Sequence, residues 1–158
     1  MNIGLVLSGG MAKGAYQIGV LRAINNFIPL KEIKYISCAS IGALNGYAYA
    51  TEELDLAEKM WKKICNNDTR MFISQILRSS MLQQNIAELY RPEKSLSTKF
   101  YCALLDMSHR NIVYKDLSAV ESAQIPSFLK ATVAMPVYNR AVQIEGTSYF
   151  DGAMIDNI

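Results

Sequence analysis

The chain has 158 residues, 51% of them hydrophobic and 19% charged, with a net charge of +2. That length suits one domain with a sizeable core, and the composition excludes a disordered chain. The small charge excludes the electrostatic footprint of a nucleic-acid binder, so no nucleic-acid partner is expected.

Asn2–Leu7 is a short apolar run that ends at Ser8-Gly9-Gly10, which reads as a fully buried strand of a parallel sheet. The loop Gly9-Gly10-Met11-Ala12-Lys13-Gly14 follows it. It is no Walker A loop, because Ala15-Tyr16 follow Gly14, and no clean dinucleotide fingerprint, because Met11 takes the place of the central glycine. Two readings remain for it. Successive N–H groups turned toward one point would form an anion-binding nest, whereas a plain strand-to-helix bend would use glycine only to turn. The spacing of Ile18, Leu21, Ile24 and Ile28 predicts an amphipathic helix over Gln17–Ile28, stopped by Pro29.

The stretch Lys34-Tyr35-Ile36-Ser37-Cys38-Ala39-Ser40-Ile41-Gly42 reads as strand, sharp turn and helix, with Ser40 at the tip. A strand that turns abruptly into a helix lifts the tip side chain clear of the sheet, above the free N–H groups of the helix start. Ala39 and Ile41 flank the serine and Gly42 satisfies the small +2 position, while Cys38 stands at −2 where glycine is usual. A small-residue turn of this kind also occurs without catalysis. Strand, loop, helix, strand, elbow, helix is a βαβα beginning, which predicts an α/β fold with a central, mostly parallel sheet flanked by helices.

Further on, Ile41–Thr51 and Glu53–Ile64 read as helices, and Met71–Leu82 and Gln84–Tyr90 also look helical. Residues from about 52 to 95 thus form a helical insertion, either a covering layer or a lid. Thr98–Asp106 and Ile112–Tyr114 form a hairpin around a polar turn, Ser127–Ala134 a short helix, and Ala141–Ile144 with Ser148–Phe150 a second hairpin. The second hairpin leads directly to Asp151-Gly152-Ala153. Cys38, Cys65 and Cys102 form no CxxC pair, so neither a metal site nor a disulfide framework is expected. No basic segment precedes the first apolar run, and no run approaches ~18 apolar residues. A cytoplasmic compartment is therefore expected, with secretion lacking an N-terminal signal left open.

A Ser-His-Asp triad would need His109, the one histidine, to touch Ser40 and Asp151. His109 falls in the hairpin turn beside Arg110 and Asn111, where side chains are solvated. Asp151, at a strand end before Gly152, is the better-placed base, although Asp-Gly also simply ends strands.

Together, Gly9–Gly14, Cys38-Ala39-Ser40-Ile41-Gly42 and Asp151-Gly152-Ala153 resemble, in order, the three motifs of the patatin-like phospholipases. Ala131–Pro136 resembles that family's small-residue helix, and Asn157 also matches. The resemblance spans nearly the whole chain. It implies a three-layer α/β/α domain over 1–158, with further chain beyond Ile158. It also implies Ser40 as nucleophile, Asp151 as base and oxyanion-hole amides from the glycine loop, with no cofactor or metal. The implied activity is a lipid acyl hydrolase acting on a lipid or acyl ester, with transient contact to a membrane surface. A thioesterase or acyltransferase with the same dyad, or a silent binding protein, are the alternatives. Three departures stand out. Met11 and Cys38 replace glycines, a φ > 0 at Met11 would strain it, and Lys13 stands where the family usually has Arg.

Overall fold

The computed structural model describes residues 2–65 and 79–157. Strand β1 (Ile3–Leu7) runs through the glycine loop and a 3-10 turn (Met11–Lys13) into helix α1 (Gly14–Phe27). Helix α1 starts three residues before the expected Gln17, because the turn Met11–Lys13 is already wound and Lys13 is helical. Strand β2 (Ile33–Cys38) follows, then α2 (Ile41–Ala50) and α3 (Leu54–Cys65). Helix α4 spans Ser79–Leu89 and runs unbroken through Gln83, where two separate helices were expected. Most of the expected Met71–Leu82 helix lies outside the described residues.

The second half comprises β3 (Lys99–Asp106), β4 (Asn111–Asp116), α5 (Ile125–Ala131), β5 (Val142–Ile144) and β6 (Thr147–Asp151). Helix α5 begins earlier than the expected Ser127. Pro126 sits in its first turn, where a missing N–H costs nothing.

The six strands form one mixed sheet in the order β1-β2-β3-β6-β5, with β4 also on β3. Strands β1, β2 and β3 are parallel, and β4, β5 and β6 are antiparallel to their neighbours. The α/β fold expected from the sequence, a sheet with a parallel core flanked by helices, is what forms. One detail of register fixes the site. Cys102 pairs with Cys38 of β2 and with Lys115 of β4, so those strands take opposite edges of β3. Leu104 pairs with Val113 of β4 and with Asp151 of β6. Strands β2 and β6 therefore share one edge of β3 and meet end to end, which brings Asp151 to the tip of β2, where the elbow begins.

The register aligns Leu7, Cys38 and Cys102 across β1–β3. Together with Ile36, Phe100 and Leu104 they face Leu21 and Leu44 in the core. Each fully buried Leu, Ile or Phe side chain contributes about 1.5–3 kcal/mol. Alternate residues such as Val6 and Tyr35 point away and are exposed. Helix α2 is buried on every side, as an apolar helix without a polar stripe must be. Its approach to the strands is set by Gly42 and Gly46, one turn apart on a single face. A Cβ on Gly42 would stand 2.3 Å from the Leu7 carbonyl oxygen, and one on Gly46 would stand 2.6 Å from Cys38 Sγ. Within the stretch 52–95, α3 lays Met60, Trp61 and Ile64 into this core, and α4 adds Ile86 and Leu89.

Candidate active site

The elbow is built by close crossing. After Cys38, the Ala39 N–H donates to the Leu7 carbonyl at 3.1 Å, and α2 begins at once with Gly42 N–H to Ala39 O at 3.0 Å. The reversal falls on Ser40, at φ 53° and ψ −132°. A non-glycine residue held there stores strain of about 1–3 kcal/mol, and such strain gathers at functional sites. Ser40 also occupies the N-cap of α2, the position where serine normally bonds the helix's free N–H groups. Its side chain makes no such bond, so the hydroxyl is left to other partners. Cys38, the departure at −2, is a packing group over Gly46. Burial, with Cys102 beside it, pushes its thiol pKa well above the ordinary range, which makes it a poor nucleophile.

The glycine loop lies against the serine. A Cβ on Gly9 would meet Ser40 Cβ at 2.8 Å and Ala153 Cβ at 3.2 Å, so all three motifs converge on Gly9. The Gly9 N–H donates to Asn157 Oδ1 at 2.6 Å, and the Lys13 N–H donates to the Gly10 carbonyl at 3.0 Å. Among the described residues, the N–H groups of Gly10, Met11 and Ala12 meet no acceptor. Met11 adopts φ 50°, the conformation that glycine would take without strain and a methionine does not. The Lys13 side chain folds over Gly10, with its Cδ 3.1 Å from where a Cβ would be.

Asp151 ends β6 and is 2% exposed. Its N–H donates to the Ala134 carbonyl at 2.8 Å, and its Oδ1 accepts the Ala153 N–H at 2.9 Å. Gly152 continues into a tight turn beneath β3. Burial raises the Asp151 carboxyl to about 6, while the neighbouring Ser40 side chain and the hydrogen bond from the Ala153 N–H pull it partway back. His109 lies elsewhere. Its side chain is 74% exposed, and its Nδ1 sits 2.8 Å from Asp106 Oδ2 in the β3–β4 turn.

Sequence reasoning missed Gln17, Asn45 and Trp61, which form a polar chain behind the glycine loop, buried at Asn45 and Trp61 and half-buried at Gln17. The available signal was Asn45, a lone amide in the middle of an otherwise apolar helix.

A strained serine between a strand and a helix, with a glycine loop and a buried carboxylate against it, defines an α/β protein of the strand–serine–helix elbow class. The patatin-like phospholipase model matches residues 5–158, and the chain belongs to that family. It is similar in fold to the crystal structure of VipD from Legionella pneumophila, with a TM-score of 0.59 and 16% identity. The match covers 99% of this chain and 47% of that one, so the chain spans about half of that protein's length. No curated protein matches it. Among the described residues, no helix is long and apolar enough to cross a membrane.

Proposed function

We propose that the chain is a lipid acyl hydrolase that cleaves carboxylic esters through a Ser40 acyl-enzyme, with Asp151 as its base. The observation that carries this reading is the pairing of an uncapped, strained Ser40 with a buried carboxylate raised to about 6. A base with a pKa near the working pH is charged enough to accept a proton and basic enough to hold it.

In the first step, Asp151 takes the Ser40 Oγ proton as Oγ attacks the ester carbonyl carbon. The carbonyl oxygen becomes an oxyanion, and the unpartnered N–H groups of Gly10, Met11 and Ala12 are the donors for it. Each such donor is worth roughly 3–4 kcal/mol to the transition state. The alcohol leaves with the proton held by Asp151. Water then attacks the acyl carbon, gives its proton to Asp151, and the proton returns to Ser40 as the fatty acid departs. Gly9 shapes the loop, and its own N–H is already taken by Asn157. The substrate class follows from the family, whose description names phospholipases, and such a substrate is met at a membrane surface.

The test is fatty-acid release from phospholipid vesicles and turnover of a short-chain aryl ester. The native protein is expected to turn over both, and Ser40→Ala neither. A folded native protein that hydrolyses no ester would refute the reading.

A further inference from the structure

Behind the glycine loop runs a chain of four hydrogen bonds that all point one way. Trp61 Nε1 on α3 donates to Asn45 Oδ1 on α2 at 2.9 Å. Asn45 Nδ2 donates to Gln17 Oε1 at 2.9 Å and to the Gly14 carbonyl at 2.9 Å. Gln17 Nε2 on α1 donates to the Ser8 carbonyl at 2.6 Å. The direction is forced by chemistry. An indole N–H can only donate and a backbone carbonyl can only accept, so each amide has a single orientation that satisfies both ends. Asn45 is fully buried and uses both N–H groups and its oxygen, so loss of any partner strands a buried polar atom.

The chain ends on the carbonyls of Ser8, the residue before the glycine loop, and of Gly14, the loop's last residue and the first of α1. In a trans peptide the carbonyl and the following N–H point in opposite directions. With the Ser8 carbonyl held by Gln17, the Gly9 N–H must point away from it, and it meets Asn157 Oδ1 on that side. The first peptide plane of the loop is therefore held at both edges. At the far end the Gly14 carbonyl is held by Asn45, and the Trp61 ring lies against Gly14 so closely that a Cβ there would stand 2.2 Å from Trp61 Cζ2. Between the two clamps lie the N–H groups of Gly10, Met11 and Ala12.

We propose that Gln17, Asn45 and Trp61 are positioning residues that aim the glycine-loop amides at the carbonyl oxygen bound over Ser40. This rests on the Ser40 reading above. Positioned amides act where negative charge develops, so their misalignment reads in kcat and not in KM. Gln17→Met keeps the side-chain length and removes both hydrogen bonds. Trp61→Phe keeps a ring in the core and removes the indole N–H.

The experiment measures aryl-ester kinetics and the amide chemical shifts of Gly10, Met11 and Ala12 for the native protein, Gln17→Met, Gln17→Glu and Trp61→Phe. Native-like melting is required of each variant that is scored. The expected result is a kcat reduced about 10- to 100-fold with KM within about 2-fold, accompanied by shifted loop amides. Gln17→Glu, which can still accept from Asn45 but cannot donate to Ser8, is expected to lose as much as Gln17→Met. Native kcat and unmoved loop amides in folded Gln17→Met would overturn the proposal, whatever happens to Trp61→Phe. A native protein inert toward esters would count against the catalytic reading alone. The loop shifts would then decide the positioning claim.

Discussion

Replacing Asp151 with Asn removes a charge from a buried position without changing its shape. The Asn side-chain oxygen can still accept the Ala153 N–H that Asp151 accepts at 2.9 Å. In the native fold the carboxyl titrates at about 6 against an ordinary 3.8, because burial disfavours the charged form. Between those values the folded state keeps a proton that the unfolded chain releases, so native stability falls as pH rises from about 4 to about 6. Above about pH 6 the full cost is present, about 3 kcal/mol at 1.36 kcal/mol for each pKa unit. Asp151→Asn escapes that cost. Urea unfolding followed by circular dichroism is expected to show the variant more stable by up to about 3 kcal/mol at pH 7 and no different below about pH 4. Ester turnover should meanwhile fall by several orders of magnitude, because nucleophile and base act as a unit. A variant less stable than the native protein at pH 7, or a difference that does not change with pH, would refute the burial argument for Asp151.

Native turnover should rise through about pH 6 and level off above it, since the base must be charged, and a pH–rate profile of the aryl ester checks this. His109→Ala should keep turnover within about 2-fold and cost at most about 1 kcal/mol, as the His109 side chain is 74% exposed and the buried Asp106 keeps the backbone N–H groups of residues 108 and 109; kinetics and thermal melting measure both. Gly42→Ala should destabilise by about 1–3 kcal/mol, because its Cβ would meet the Leu7 carbonyl at 2.3 Å, and a melting curve reads the loss. Met11→Gly should stabilise by about 1 kcal/mol in urea unfolding by relieving φ 50°.

What the sequence made legible was local. The apolar runs that end at Leu7 and at Cys38, each followed by small residues and a helix, announced the glycine loop and the elbow. Met11 was recognisable as a residue that a φ > 0 turn would strain, and the structure gives it φ 50°. What was illegible was long-range. Nothing near Asp151 in sequence tells that β6 takes the same edge of β3 as β2, since that follows from pairings at Cys102 and Leu104 with three different strands. The relay through Gln17, Asn45 and Trp61 was hidden for the same reason, being 28 and 16 residues apart along the chain. Helix α1 began early because backbone already wound in the 3-10 turn extends it, an effect that side-chain periodicity does not register.

Labelling by a fluorophosphonate asks whether Ser40 is a nucleophile activated by Asp151. A single adduct is expected that maps to Ser40, is absent in Ser40→Ala, persists in His109→Ala, and forms more slowly below about pH 6. A folded native protein that takes no label, or one labelled at a different residue, would contradict it.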